Sequence, residues 1–442
     1  MTGTPTLDDV RRTRPAQDPG VVRLLQEWAP TRRWYPAKTD PRRPTSSGVI
    51  DLTDPQGAAT VQVHLLSLPD GATLQVPVTL HTSPPPDLLT PHDVAVLGTV
   101  DGTTVVDGCS DPAFLRAWLA AATGPAPTPG TSDPAAPSSP LSGARVVSGE
   151  QSNTSVMLPG HSPPGILKVF RVLGSGPNPD IEIPLALSAF WDGVPAPLSW
   201  IAADWAAPHG PGHLGVLSRL VPDAHDGFAL ACDHARRGTH LDDLAVDLGA
   251  TTAHMHRALR TALPVTRGSD HPQVVAALRT RAQNALEVVP ELEPRRAGIE
   301  RVLSATADLD LPPVQRVHGD YHLGQVLHSP GGWTVLDFEG EPQASPAERT
   351  RPDLALRDLA GMLRSFDYAQ AVGEGQDPTW VGRARADLLR GYQDVTGDPV
   401  EPRTLRALEL DKALYEVVYE ARNRPAWVPI PLQGVDRILE AA

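Results

Sequence analysis

The chain has 442 residues, too many for one ordinary hydrophobic core, so two or three domains are expected. An apolar fraction of 40% is normal for a globular protein, and a formal charge of −14 excludes the basic face that non-specific nucleic-acid binding needs. The polar stretch Met1–Pro19 carries no secretory signal, no run of about 18 apolar residues is present to span a bilayer, and Cys109 and Cys232 form no CxxC pair, so a soluble, cytoplasmic protein is expected.

From Val22 to Leu89 the pattern is short and alternating. Ala59–Leu65 and Ala72–Val78 read as half-buried strands joined by the turn formers Pro69-Asp70-Gly71. Ser83-Pro84-Pro85-Pro86 suggests a boundary, which gives a first domain at 1–90. Next come Val96–Gly102 and the helix-like Pro112–Leu119. Pro125–Pro140, rich in Pro, Ser, Thr and Ala, is too polar to build a core and reads as a linker or long loop. Three strand candidates follow at Ala144–Ser148, Ser155–Leu158 and Gly165–Phe170, then a helix over Ile181–Phe190 and a strand over Gly215–Val221. These make a second block, 91–222. Helical periodicity dominates the third, 223–442. Strands followed by helices define an α+β chain.

Gly149-Glu150-Gln151-Ser152-Asn153-Thr154 joins the first two of those strands. A tight polar turn of this kind offers backbone N–H groups and the side chains of Ser152, Asn153 and Thr154 to phosphates, although it lacks GxGxxG. Lysine occurs only at Lys38, Lys168 and Lys412. Lys168 stands among Ile166, Leu167, Val169 and Phe170, where an unpaired ammonium would be costly to bury. An anion is therefore expected beside it, a nucleotide phosphate with Glu182 as orienting partner; the plainer reading is an edge-strand Lys that faces water.

Further on the chain reads Val317-His318-Gly319-Asp320-Tyr321-His322-Leu323-Gly324-Gln325, and then Val335-Leu336-Asp337-Phe338-Glu339. An Asp in a His-Gly-Asp turn, an amide five residues later and a second Asp leaving a short apolar strand match the catalytic loop and metal-binding strand of protein-kinase-like phosphotransferases. Asp320 is the expected base for an acceptor hydroxyl. Gln325 and Asp337 offer the oxygen atoms that Mg²⁺, a hard cation, prefers. His318 is expected to pack under the loop, and His322 to face an acceptor. In the last long helical pattern Leu410, Leu414, Val417 and Ala421 form a core stripe. Lys412, Tyr415, Glu416, Tyr419, Arg422 and Asn423 lie opposite it. Rings mixed with charged and amide groups suit a sugar, whereas the plain alternative is a solvated face near Trp427.

With these residues assembled, the chain resembles the maltokinases. The resemblance is carried by Arg33-Trp34-Tyr35, the Gly149–Thr154 turn, Asn178–Glu182, His318–Gln325, Asp337–Pro342, Arg357–Tyr368 and Tyr415–Pro425. It implies a bilobal protein-kinase-like, aminoglycoside phosphotransferase-like fold with an extra N-terminal α+β cap domain. It also implies ATP and Mg²⁺ as cofactors, phosphorylation of maltose at its anomeric hydroxyl for α-glucan synthesis, and possible association with trehalose synthase. On that reading Ser218 and Leu220 lie against the adenine, and His322, Tyr415, Glu416, Tyr419, Glu420, Arg422 and Asn423 bind the sugar. Pro36-Ala37-Lys38 departs from the Ala-Gly-Lys typical of relatives. The alternative is a glucosamine or aminoglycoside kinase, with Glu339, Glu341, Glu416 and Glu420 available for a cationic acceptor. A non-catalytic scaffold is disfavoured, because the base, both metal ligands and Lys168 are all present.

Overall fold

The computed structural model describes residues 10–440 except 39, 84, 86, 126–138, 148–151, 206–209, 264–270, 307–308, 310, 342–348 and 350, and of residues 271–273 only the backbone. Most of the expected linker, Gly149-Glu150-Gln151 and Pro342 lie outside the described residues. Two units form, Met1–Leu185 with Pro195–Leu220, and Ala186–Val194 with Val221–Ala442.

In chain order the first unit contains β1 (Val10–Arg12), α1 (Pro19–Trp28), β2 (Thr45–Leu52), β3 (Thr60–Ser67), β4 (Thr73–His81) and α2 (His92–Ala95). It continues with β5 (Val96–Val100), β6 (Thr103–Asp107), α3 (Pro112–Ala121), β7 (Arg145–Val146), β8 (Thr154–Leu158) and β9 (Gly165–Val169). Last come β10 (Val172–Leu173), α4 (Pro179–Leu187, whose final two residues count with the second unit), β11 (Pro197–Asp204) and β12 (Pro211–Arg219). Helices α1 and α3 start with the same device. An Asp N-cap, Asp18 or Asp111, accepts from the first-turn N–H groups, and a Pro at the first helical position has no N–H to leave unpaired.

One sheet runs β1-β11-β12-β9-β8-β7, and a second runs β2-β3-β4-β6-β5 with β10 paired to β4. The two strands expected around Gly71 are β3 and β4, antiparallel from Thr60 opposite Leu80 to Ser67 opposite Thr73. The boundary expected at residue 90 falls inside the second sheet, because β5 and β6 complete the sheet that β2–β4 begin. The Pro cluster there marks a loop within one sheet, not the end of a domain. Gln75 joins the sheets. Its Nε2 donates to the carbonyls of Phe170 and Leu214, both at 2.6 Å, and its backbone N–H donates to Arg171 O at 2.8 Å.

The second unit contains β13 (His225–Asp226), α5 (Gly227–Arg237), α6 (Asp243–Ala262), α7 (His271–Val288) and α8 (Arg296–Ser304). Beyond these lie β14 (Val326–Ser329), β15 (Gly332–Val335), α9 (Leu356–Val372), α10 (Trp380–Thr396), α11 (Pro402–Asn423) and α12 (Pro429–Glu440). The change of unit at Leu220/Val221 falls two residues before the expected break at 222. Helices α6 and α10 meet through glycine. A Cβ on Gly249 would lie 2.0 Å from Leu388 O, and one on Gly391 would lie 1.9 Å from Val246 O. Among the described residues no helix is long and apolar enough to cross a membrane.

Candidate active site

The His318–Gln325 loop is held from beneath by α6 and α9. Asp358 on α9 is buried and accepts from three N–H groups: backbone His318 at 2.9 Å, backbone Gly319 at 3.0 Å and His256 Nε2 at 3.0 Å. Burial alone would raise the Asp358 carboxyl, but His256, His318 and the Gly319 N–H hold it below the ordinary value. Gly319 adopts φ 91°, a left-handed conformation that favours glycine. His318 packs under the loop as expected. Its Nε2 donates to Leu336 O at 2.7 Å, which leaves Nδ1 to accept from the Asp320 N–H at 3.4 Å. Tyr321 is buried, with its hydroxyl 3.1 Å from Thr252 Oγ1, and Ser365 Oγ accepts from the Leu323 N–H.

This support aims Asp320 at a buried cation. Lys412 Nζ on α11 donates to Asp320 Oδ1 at 2.9 Å and to Glu341 Oε1 at 3.2 Å. Burial would raise the Asp320 carboxyl, yet Lys412, His322 and His318 bring it below its usual range. His322 Nε2 stands 3.8 Å from Asp320 Oδ2, and burial is the main cause of its lowered imidazole pKa. Asp320 is therefore an ionised carboxylate held at one oxygen, which is the state a general base requires.

Gln325 and Asp337 come together as their spacing suggested. Gln325 sits in a 3₁₀ turn, its carbonyl accepts from the Leu336 N–H at 2.9 Å, and its Nε2 lies 3.4 Å from Asp337 Oδ2. Asp337 has φ 61°, an uncommon left-handed conformation for a residue with a side chain. A carboxylate next to an amide, whose oxygen a side-chain flip would present, is a donor set that fits Mg²⁺.

In the first unit, Lys168 lies on β9 with its neighbours Leu167 and Val169 turned to the core, as period-two alternation requires. Its Nζ pairs with Asp180 Oδ2 at 2.6 Å. This corrects the expectation of Glu182. Two residues along α4 turn the side-chain direction by about 200°, so the two carboxylates point apart. Asn153 and Thr154 also differ from expectation. Asn153 Oδ1 accepts from the Arg171 N–H at 3.2 Å and Thr154 Oγ1 from Arg171 Nε at 2.9 Å. The Arg171 guanidinium lies over the Trp34 ring at 4.6 Å and reaches Asp107. These two side chains are thus engaged by Arg171, and Ser152 is the exposed one. Ser218 is half-buried on β12 opposite Ile166. The Leu220 N–H is committed to Pro164 O at 2.8 Å.

The α11 face opposite the Leu410, Leu414 and Val417 stripe is not a solvated surface. Glu416 pairs with the fully buried Arg364 at 2.8 Å, and burial pushes its carboxyl up against the pull of Arg364 and Lys412. Glu420 is buried and binds Arg424 through both oxygens, at 2.6 and 2.8 Å, and Tyr368 at 3.3 Å. Both acids answer cations in the structure, whereas the sequence reading placed them as sugar ligands. Tyr415 and Tyr419 stack at 6.4 Å, with Lys412 over the first ring and Arg424 over the second. Arg422 and Asn423 are exposed, and Asn423 Nδ2 donates back to Tyr419 O at 2.9 Å. They stand ten and more residues past Lys412, about 15 Å along the helix, so the structure does not gather them around Asp320. Sequence reasoning missed Asp358 and the link from Lys412 to Asp320. The signal available was the Arg357-Asp358-Leu359-Ala360 run and the scarcity of lysine.

Fold and site define a phosphotransferase with a kinase-like catalytic loop and an added N-terminal cap. Residues 28–111 match the maltokinase N-terminal cap domain, and residues 203–416 match the phosphotransferase enzyme family. The glucosamine kinase of Mycolicibacterium smegmatis is 31% identical over 332 residues, covering 67% of this chain and 80% of that protein. The glucosamine kinase of Streptacidiphilus jiangxiensis is 29% identical over 331 residues, covering 66% and 72%. A solved glucosamine kinase in complex with glucosamine, ADP and inorganic phosphate shares the fold at a TM-score of 0.65 and 22% identity, over 95% of this chain and 99% of that one. The chain belongs to the phosphotransferase enzyme family, among the sugar kinases that carry a maltokinase-type cap domain.

Proposed function

We propose that the chain transfers the terminal phosphoryl group of ATP to a hydroxyl of a sugar, with glucosamine the favoured acceptor. The observation that carries the reading is Asp320, half-buried, held ionised by Lys412, and placed in one loop with Gln325, which touches Asp337. Relatives of that name matched over 80% and 72% of their length support the acceptor.

On this reading Asp320 Oδ2 takes the acceptor proton while the acceptor oxygen bonds the γ-phosphorus and the bond to the ADP oxygen breaks. Asp337 and Gln325 would hold Mg²⁺, which neutralises charge on the nucleotide phosphates. In the first unit, Lys168, steadied by Asp180, and the Ser152–Thr154 turn are the candidates for binding phosphate. Positioning and charge stabilisation dominate, because the transition state is loose.

Maltose is the second acceptor to weigh. Glu416, Glu420 and Glu341 are answered by Arg364, Arg424 and Lys412, so less negative charge remains for an amine than the sequence suggests. The cap-domain match supports the same choice. Coupled ADP release with MgATP against glucosamine, maltose, glucose and kanamycin, with phosphorus NMR of the product, separates the readings. Glucosamine-dependent release is expected. An anomeric phosphate made from maltose alone overturns the acceptor, and no ADP with any sugar overturns the reading as a whole. Asp320→Asn is expected to lower turnover by about 10³-fold while ATP still binds.

A further inference from the structure

Lys412 occupies a helix position that sequence pattern assigns to solvent, yet its side chain is only 11% exposed. An ammonium removed from water needs anionic partners, and this one has two, Asp320 Oδ1 and Glu341 Oε1. The face of Tyr415, centred 4.8 Å from Nζ, covers a further side. The two carboxylates come from different segments. Asp320 belongs to the loop that Asp358 pins, and Glu341 lies four residues past Asp337. One cation from α11 thus joins the segment of the base to the segment of the candidate metal ligand. Because Oδ1 is engaged, Oδ2, on the side of His322, is the oxygen left for chemistry.

We propose that Lys412 is a positioning residue for phosphoryl transfer. By bridging Asp320 Oδ1 and Glu341 it fixes Asp320 Oδ2 as the proton acceptor and keeps the Asp320 loop in register with the Asp337 segment. The inference rests on the reading of Asp320 as base. During transfer the acceptor proton passes to Oδ2, and Lys412 neither gains nor loses a proton. Its charge also keeps Asp320 ionised at lower pH than an isolated buried carboxylate would be.

The test compares Lys412→Met, Lys412→Arg, Glu341→Gln and Asp320→Asn in sugar-dependent ADP release across pH, with unfolding curves for each. Lys412→Met is expected to lower kcat about 10²-fold, the scale of a small misplacement of a reacting group, while the KM for ATP changes by less than about threefold. The acid limb of its kcat profile should move to higher pH. Lys412→Arg should restore about tenfold of the loss, since it returns the charge without the same geometry. Should Lys412→Met fail to fold, Glu341→Gln carries the test. It removes one end of the bridge isosterically and should lower kcat about tenfold at unchanged KM for ATP. Wild-type kcat in the folded Lys412→Met or in Glu341→Gln, or an acid limb that stays in place, overturns the proposal while Asp320→Asn keeps its loss of about 10³-fold. An active Asp320→Asn instead removes the base assignment beneath it.

Discussion

The two units bury polar groups in different proportions. The sheet-rich unit has ion pairs of its own, Arg171 with Asp107 and Arg116 with Asp54, but it also hides two histidines as neutral rings. His64 and His213 are each 1% exposed, and burial pushes both imidazoles down to about 4. The helical unit hides full charges in pairs: Arg364 with Asp367 and Glu416, Arg357 with Asp353 and Asp411, and Arg385 with Glu409. Lys412 with Asp320 and Glu341 belongs to the same lattice. A sheet core tolerates an uncharged ring between strands with little rearrangement. A lattice of ion pairs fixes side-chain direction instead, and direction is what a base and a metal ligand require. The difference teaches where chemistry can be carried: the candidate base stands inside the charged lattice.

The largest expected effect comes from breaking that lattice. Arg364 is fully buried, and Gly434 makes room for it, since a Cβ there would lie 2.0 Å from its Nη1. Arg364→Met would leave Glu416 without its bonded cation and Asp367 with Arg437 alone. Removing one partner of a buried pair costs about 3–5 kcal/mol, so urea unfolding of the helical unit should show a loss of that size. A loss under about 1 kcal/mol would mean that the pairs are solvated and the contrast between the units is false.

How much of this the sequence discloses follows from distance along the chain. Asp320, Gln325 and Asp337 fall within one loop and the strand after it, so their spacing alone brings them together. The strands around Gly71 and the core stripe of α11 are legible for the same local reason. Asp358 and Lys412 act across 38 and 92 residues on Asp320, and no period or motif reports such a contact. Glu416 and Glu420 read as sugar ligands because pattern analysis sees no cation near them. Their partners Arg364 and Tyr368 arrive from α9, each 52 residues earlier. Asp180 and Glu182 both suit Lys168 on composition, and only the turn of α4 separates them. The β5–β6 pair lies past a Pro cluster that looks like a boundary, yet its ladder with β4 runs from Val78 opposite Asp107 to His81 opposite Thr104.

A smaller effect tests how rigidly the lattice is seated. Helices α6 and α10 touch backbone to side through Gly249 and Gly391, which sets their separation. Gly391→Ala places a methyl against the Val246 carbonyl, and neither group can rotate away. Overpacking of this kind costs about 1–3 kcal/mol, with the upper end expected where backbone must move. Because α6 carries His256, which bonds Asp358 beneath the catalytic loop, kcat should fall with stability. Lost stability at wild-type kcat would show that the loop is held by α9 alone.

The smallest effect is a pH difference between the units, and its sign follows from the shifts. The folded-state pKa of His64, about 4, lies below the 6.5 of an unperturbed imidazole, so the unfolded chain takes up the proton first as pH falls. Its contribution is complete above about pH 6.5 and is lost progressively toward pH 4, amounting to about 2 kcal/mol at pH 5. Asp320, Asp358 and Asp367 are lowered carboxylates, so their contribution persists above the ordinary carboxylate range and fails only as pH falls through their depressed values. Between about pH 6.5 and 5 the sheet-rich unit should therefore weaken more than the helical unit, whose lowered imidazoles, His322 and His328, are not fully enclosed. Amide exchange in β3 and β4 against α9 and α11, at pH-corrected rates, reads the two separately. His64→Gln, which cannot take up a proton, should remove most of the loss in β3 and β4. Equal pH dependence in the wild type and the variant would place the acid sensitivity elsewhere, with the buried His213 next to be replaced.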